Sequence, residues 1–98
     1  MTNTELRIRL IHAVTRYDER ESRKRHYNVY ALGQYLKRVD EVCADIRRGA
    51  PARAAICAAF NGRLLNHMLK AAGEKPASDA EARGDGHWSY APVTGDAP

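Results

Sequence analysis

Leu, Ile, Phe and Met are missing from the last quarter of this 98-residue chain, which keeps a single Trp. Every Leu and Ile, the single Phe and both Met lie before Gly73, and Pro, Gly, Asp and Ala dominate the remainder. A segment without such side chains buries too little surface to fold alone. We therefore expect one domain at residues 1–73 and an acidic, Pro/Gly-rich tail at residues 74–98, either flexible or docked on the domain.

Long apolar runs and metal-binding spacings are absent as well. No run approaches the roughly 18 residues of a membrane span, and the N-terminus lacks the pattern of a signal peptide, so we expect a cytoplasmic protein that does not enter a membrane. Two cysteines, Cys43 and Cys57, are too few for a disulfide framework; they are packed thiols or one disulfide. The four histidines have no metal-ligand spacing, and we expect neither a metal nor a cofactor.

The sign of the net charge changes at the same boundary, Gly73, beyond which the chain has no Leu, Ile, Phe or Met. Residues 1–73 hold 14 Lys/Arg and 7 Asp/Glu, a net charge of +7, whereas residues 74–98 hold 2 and 5, a net charge of −3. A basic body favours an acidic partner: nucleic acid, another protein or its own tail. The chain has no glycine-rich phosphate loop, no Gly-x-Ser-x-Gly motif and no carboxylate pair in an apolar setting. We therefore expect a protein that is not an enzyme.

Apolar spacing and helix-end residues predict the first two helices. Thr2 and Glu5 have the spacing of a capping box, so the first helix should run from about residue 3 to about residue 24. Asn28 is a plausible N-cap for the second helix, and Gly49 is its expected C-terminal stop. Both segments carry apolar residues at three- and four-residue steps, which places those residues on one face of each helix.

A third helix should run from Pro51 to about Ala72, with Gly73 as its stop. Its weak point is Asn61-Gly62, because glycine in a helix interior costs about 1 kcal/mol relative to alanine. The short connection at Gly49 predicts an all-α, three-helix domain: helices two and three form a long antiparallel hairpin, and helix one packs across it. The pairs expected at the same level of the hairpin are Cys43 with Cys57, Leu36 with Leu64, and Leu32 with Met68.

Arginine and tyrosine are concentrated on helix one and the joint that follows it. The residues predicted to contact nucleic acid or another partner are Arg9, Arg16, Arg20, Arg23, Arg25, Tyr27 and Tyr30. The first four arginines fall within an arc about 60° wide at 100° per residue. Arginine interleaved with tyrosine suits phosphate contact combined with base stacking. Alternatively, the i,i+4 pairs Glu19–Arg23 and Glu21–Arg25 are typical of an ordinary solvated helix.

Two classes of function remain open on the sequence. The first is a non-enzymatic accessory or regulatory protein whose basic helix-one face contacts nucleic acid or an acidic protein. The second is a purely protein-binding helical module, with a homodimer formed through the alanine-rich face of helix three as one form. That face comprises Ala54, Ala55, Ala58 and Ala59. In either class, Trp88 and Tyr90 are the expected anchor that would hold the tail on the body.

Four stretches carry a resemblance that covers most of residues 4–73 and leaves out the tail. They are residues 15–21 (TRYDERE), 27–32 (YNVYAL), 53–56 (RAAI) and 60–65 (FNGRLL). In overall pattern the chain resembles small uncharacterised helical proteins of bacterial plasmids and integrative elements. The resemblance contains no catalytic or binding motif and transfers no site residue. It implies a bacterial cytoplasm and an accessory role on a mobile element.

Overall fold

The computed structural model describes residues 1–83, which form five helices and no strand. The helices are α1 (Asn3–Glu21), α2 (Ala31–Arg47), α3 (Ala52–Ala59), α4 (Gly62–Ala71) and α5 (Asp79–Arg83). The predicted all-α class is confirmed. Within this part of the chain, no helix combines the length and the apolarity that a membrane crossing requires.

α1 packs against both α2 and α4. It begins with the predicted capping box: the Thr2 hydroxyl accepts a hydrogen bond from the Glu5 amide, and Glu5 Oε1 accepts one from the Thr2 amide, both at 3.1 Å. Leu6, Leu10 and Val14 follow at four-residue steps, and all three side chains are buried. Residues four apart share one helix face, so this row forms the part of the core that α1 contributes.

The connection between α1 and α2 is longer than expected, because α1 ends at Glu21 and α2 begins at Ala31. Asn28 does not cap α2 directly. Its Oδ1 accepts a hydrogen bond from the Tyr30 amide at 2.9 Å, which is the side-chain-to-backbone contact of an Asx turn. Residues 22–30 are therefore an ordered, non-helical connection, and the arginines that follow Glu21 do not continue the α1 spiral.

α2 and α3 pack against each other across the short connection at Gly49. Gly49 ends α2 in the left-handed conformation, with φ of 106°, as a C-terminal stop requires. Arg38 Nη1 donates to the Ala59 carbonyl at 3.0 Å, which is the pairing that folding the chain about residue 50 produces. Both Cys43, which is buried, and Cys57, which is half-buried, are free thiols.

The prediction of one long third helix is wrong, because the chain leaves the helical conformation at Phe60 and Asn61. Both residues are extended, and Gly62 then takes a left-handed φ of 62°. The buried residues of α3, Ala55 and Ile56, and those of α4 would point about 160° apart if the helix continued at 100° per residue. One straight helix could not bury both sets on one side, so the break re-aims α4 toward the core.

α4 completes the packing around the core. α1 packs against α2 and α4, and α3 packs against the same two helices. Because the helix breaks after Ala59, the predicted levels of Leu36 with Leu64 and Leu32 with Met68 do not belong to one continuous helix pair.

One core joins the first four helices. Its buried apolar side chains are Leu6, Leu10, Val14, Val39, Val42, Cys43, Ala50, Ala55, Ile56, Phe60, Leu64, Leu65, Met68 and Leu69. Bulky side chains come mainly from α1, α2 and α4, while α3 supplies the small Ala55 beside Ile56. Because small residues allow close approach of neighbouring backbones, the short α3 fits against α2 within this core.

The first part of the tail is docked, and Arg53 of α3 is the residue that holds it. The guanidinium donates to the backbone carbonyls of Lys75 and Pro76 at 2.9 Å each. It also forms a two-pronged ion pair with Glu81, with N–O distances of 2.9 and 2.7 Å. Such a forked arginine–carboxylate contact is geometrically specific. Glu81 lies in α5, a short helix within the segment predicted to be a tail.

A second contact fixes the same segment to α4. The Ala77 amide donates to Asn66 Oδ1 at 2.8 Å, and the Ala77 side chain packs on the edge of the core. Ser78 and Glu81 cap one another, because each backbone amide donates to the other's side chain. Trp88 and Tyr90, the expected anchor, lie outside the described residues. The docking described by the structure therefore uses Arg53 and Asn66.

Replacing Gly62 tests the helix break. Gly62→Ala should lower the free energy of unfolding by about 1–2 kcal/mol, because alanine in the left-handed region is strained. The matched control is Gly33→Ala in α2. An added Cβ meets no atom within 4 Å at either glycine, and only Gly62 has a positive φ. Gly33→Ala should raise stability by about 0.5–1 kcal/mol. Urea denaturation followed by circular dichroism measures both, and equal effects of the two variants would contradict the break.

The Arg53 contact predicts how tail docking depends on pH. The hydrogen bonds from Arg53, followed by that from the Ser78 amide, lower the pKa of Glu81 from 4.5 to about 2. A lowered pKa contributes stability above the unfolded-state value and loses it as pH falls toward the folded-state value. Docking should therefore be complete above about pH 4.5 and weaken from there toward pH 2.

Hydrogen exchange of the Ala77 amide measures docking. Glu81→Gln should speed this exchange at neutral pH, whereas Glu41→Gln on α2 should leave it unchanged.

Candidate functional site

The predicted contact arginines lie at one end and along one flank of α1. Arg9, Arg16 and Arg20 are on the helix and share an arc about 40° wide. Arg23 and Arg25 lie in the connection that follows. All five side chains are exposed. Three of the five arginines therefore lie on the predicted arc of α1, and the other two lie in the turn beyond the helix.

None of these five arginines forms an ion pair with another residue of 1–83. The predicted pairs Glu19–Arg23 and Glu21–Arg25 do not form, because the helix ends at Glu21 and its i,i+4 geometry ends there. Glu21 instead pairs with Lys24, at 2.8 Å. The competing interpretation of this segment as a self-paired, solvated helix therefore loses the contacts on which it rests.

The two predicted tyrosines have different environments. Tyr30 is 76% exposed, and its neighbour Val29 is 69% exposed. Tyr27 is half-buried, and its hydroxyl donates to Asp18 Oδ1 at 2.6 Å. That hydrogen bond, followed by partial burial, raises the pKa of Tyr27 above its ordinary value of 10. Tyr30 is thus available at the surface, whereas Tyr27 ties the connection to α1.

Asp18 is the residue of this site that the sequence analysis does not identify. It is the next step of the row Leu6, Leu10, Val14, and it is only 8% exposed. A carboxylate that continues an apolar row at four-residue spacing is the signal that could have revealed it. Buried carboxylates require hydrogen-bond partners. The Tyr27 hydroxyl supplies one from across the connection.

A cavity of about 360 Å³ opens beside Asp18 at the α1–α2 junction. Its lining residues are Asp18, Glu21, Lys24, Arg25, His26, Tyr27, Asn28, Ala31 and Tyr35. Acidic side chains of α1 and basic side chains of the connection thus meet around two tyrosine rings. Tyr35 enters this wall from α2, and burial raises its pKa above the ordinary value.

Tyr35 also belongs to a row of rings that crosses the domain. The Tyr17 ring meets Tyr35 edge-on at 6.1 Å between centroids and lies 5.6 Å from the ring of His67. Burial, followed by the nearby charges of Arg20 and Lys70, lowers the pKa of His67. Edge-to-face contacts of this kind stabilise a fixed ring orientation. The row therefore holds the inner wall of the cavity in place.

The alanine surface considered for a homodimer is divided between two sides of α3. Ala55 is buried and Ala59 packs against the core, whereas Ala54 and Ala58 are half-buried on the other side. The neighbouring flank, with Arg53 and Cys57, faces the docked tail, where Cys57 Sγ lies 3.8 Å from Glu81 Oε2. Ala54 and Ala58 are thus the two members of the predicted face that lie outside the core.

No group of three or more His, Cys, Asp or Glu side chains in residues 1–83 is arranged to hold a metal ion. Burial raises the pKa of both cysteine thiols, which lowers the fraction of reactive thiolate. The chain matches no family model, no curated protein and no solved structure. The functional interpretation is therefore carried by the arginines and by the cavity beside them.

The Tyr27–Asp18 bond can be tested by removing one hydroxyl. Tyr27→Phe should lower the free energy of unfolding by about 1–2 kcal/mol, because Asp18 loses its donor while remaining largely buried. Tyr30→Phe is the matched control and should change it little, since Tyr30 is exposed. Urea unfolding gives both values. A spectrophotometric titration of Tyr27→Phe should also lose a tyrosine transition that lies above the ordinary pKa, and equal stability of the two variants would contradict the role of Tyr27.

Proposed function

We propose that this protein is a non-enzymatic accessory protein that binds nucleic acid through the arginines of α1 and of the connection after it. The observation that carries the proposal is the set of five exposed arginines, none of which pairs with an acidic residue of 1–83. Some other cations of the same body are neutralised locally, although Lys37 and Arg47 also form no ion pair within residues 1–83. Arg7 pairs with Asp40 at 2.9 Å, and Arg53 pairs with Glu81.

The spacing of these arginines suits a phosphate backbone. At a rise of about 1.5 Å per residue, Arg16 and Arg20 are about 6 Å apart along α1, and Arg9 lies about 10 Å before Arg16. Arg23 and Arg25 follow beyond the helix end, in the connection to α2. Several cations in a row can contact successive phosphates, and the counterions that they release provide the driving force.

Exposed aromatic surface next to the arginines favours nucleic acid over an acidic protein as the partner. Tyr30 is 76% exposed beside the equally open Val29. Bases stack on such rings, with a contribution of about 1–3 kcal/mol per base, and arginine then holds the adjoining phosphate. An accessory role on a bacterial mobile element fits the resemblance described above and is part of this proposal.

Removing three of the arginines tests the proposal. Fluorescence anisotropy with labelled single- and double-stranded DNA at low salt should show binding that weakens steeply as salt is added. The variant Arg20→Ala/Arg23→Ala/Arg25→Ala should bind roughly tenfold more weakly or worse. Its salt dependence on a single strand should be shallower by about 2 logarithmic units per decade, since each lost phosphate contact contributes about 0.7.

The matched control removes the same charge elsewhere. Lys37, Arg47 and Lys75 are exposed and form no ion pair within residues 1–83. Lys37→Ala/Arg47→Ala/Lys75→Ala should keep most of the affinity and of the salt dependence. Absence of any DNA or RNA binding by the full chain at low salt would refute the proposal. Light scattering of the same sample separates the alternative class, because a dimer would double the measured mass.

A further inference from the structure

The cavity at the α1–α2 junction has a composition that the proposed function does not use. Its floor is the buried Asp18, and its rim carries the exposed Arg25 and His26. Glu21, which is half-buried, is neutralised by Lys24 at 2.8 Å. A phosphate would be repelled by Asp18 and attracted to the rim. A neutral, flat group with N–H donors, covalently attached to a phosphate, satisfies both regions.

Asp18 provides unused hydrogen-bond acceptors at this floor. Its Oδ1 accepts the Tyr27 hydroxyl at 2.6 Å, and no other group of residues 1–83 donates to its carboxylate. An ionised carboxylate has about four acceptor sites on two oxygens. Although the residue is only 8% exposed, its Oδ2 is not a fully buried, unpartnered atom, so water or a ligand in the cavity can donate to it.

The size and the walls of the cavity fit one nucleobase. Its volume of about 360 Å³ lies at the lower end of the range for small-molecule sites, about 300–1,000 Å³. The tyrosines Tyr27 and Tyr35 contribute aromatic surface to the lining. Unpaired bases are recognised by stacking on such rings combined with hydrogen bonds to the base edge. Bases inside a duplex do not expose that edge.

We infer that this cavity binds an unpaired guanine base of a single-stranded nucleic acid, with the Asp18 carboxylate accepting from the guanine edge. Guanine presents two adjacent N–H donors, N1–H and the N2 amino group, which match the two oxygens of one carboxylate. On the corresponding edge, adenine and cytosine place an acceptor nitrogen beside their amino group, and thymine flanks its single N–H with two carbonyls. Each of these would bring an acceptor toward Asp18.

The inference rests on the proposed function, in which the arginines hold the phosphates of the same strand. Arg25 belongs both to the predicted contact surface and to the lining of the cavity. A strand whose phosphates lie along α1 would therefore reach the cavity mouth without leaving the basic surface. The arginines supply affinity without regard to sequence, and Asp18 supplies preference for one base.

A base replacement tests this on the unaltered protein. The probes are thymidine single strands of about twelve nucleotides, within the range of known single-strand site sizes, with one central guanine or hypoxanthine. Hypoxanthine lacks only the N2 amino group. The guanine probe should bind roughly tenfold more tightly, which corresponds to one charge-assisted hydrogen bond.

Asp18→Asn should abolish the difference between the two probes. Asparagine can still accept from Tyr27, so the fold is expected to persist. Asp40→Asn is the matched control: it removes the same charge from an exposed site on α2 and should leave the preference for guanine intact. Equal binding of both probes by the unaltered protein, together with weakening by the three-arginine variant, would overturn the guanine site and leave the proposed function standing.

Free nucleotides separate the remaining outcomes. If no strand binds, the proposed function fails, and titration of the ¹⁵N-labelled full chain with guanosine or inosine monophosphate still tests the cavity. Shifts of the Tyr27 and Asn28 amides caused by the guanosine nucleotide and not by the inosine nucleotide would support a guanine site that takes a free nucleotide. Absence of such shifts, or identical shifts with both nucleotides, would overturn the inference.

Discussion

The row of side chains that α1 buries determines most of this structure. Leu6, Leu10 and Val14 stack on one helix face between α2 and α4, and the next position on that face is Asp18. Helix geometry leaves no freedom here, because residues four apart must share a face. The carboxylate is therefore placed at the edge of the core, where it needs donors. Tyr27 bends back to supply one, and the connection between α1 and α2 encloses a cavity as a result.

Local signals in the sequence predict some of the helix ends. The capping box at Thr2 and the left-handed glycines Gly49 and Gly73 are found where spacing placed them, because each depends only on the backbone of a few neighbouring residues. The break at Phe60 is not marked by a local signal of this kind. It follows from the phase of the buried residues, which differs by about 160° between α3 and α4. The number of apolar residues between Pro51 and Ala72 does not indicate this break, because the break depends on the angle of each residue around the helix.

The candidate site was predictable only in part, for a related reason. Exposed arginines on one arc of α1 follow from helical phase alone. The cavity depends on where α1 stops, on the turn made by Asn28 and on Tyr35, which belongs to the next helix. These are contacts across the fold, and spacing along one helix does not specify them. Arg53 illustrates the same limit, since its partners lie more than twenty residues further along the chain.

The ion pairs show which basic residues the acidic tail neutralises. The acidic residues Glu74 and Glu81 are taken up by Arg53 on α3, so this part of the tail neutralises a cation that is not among the α1 arginines. Arg16 and Arg20, one turn apart, stay within a Debye length of about 8 Å at physiological salt. Like charges at that distance repel and cost stability. Under the proposed function, a phosphate partner would convert that repulsion into attraction for the α1 arginines, which pair with no acidic residue of 1–83.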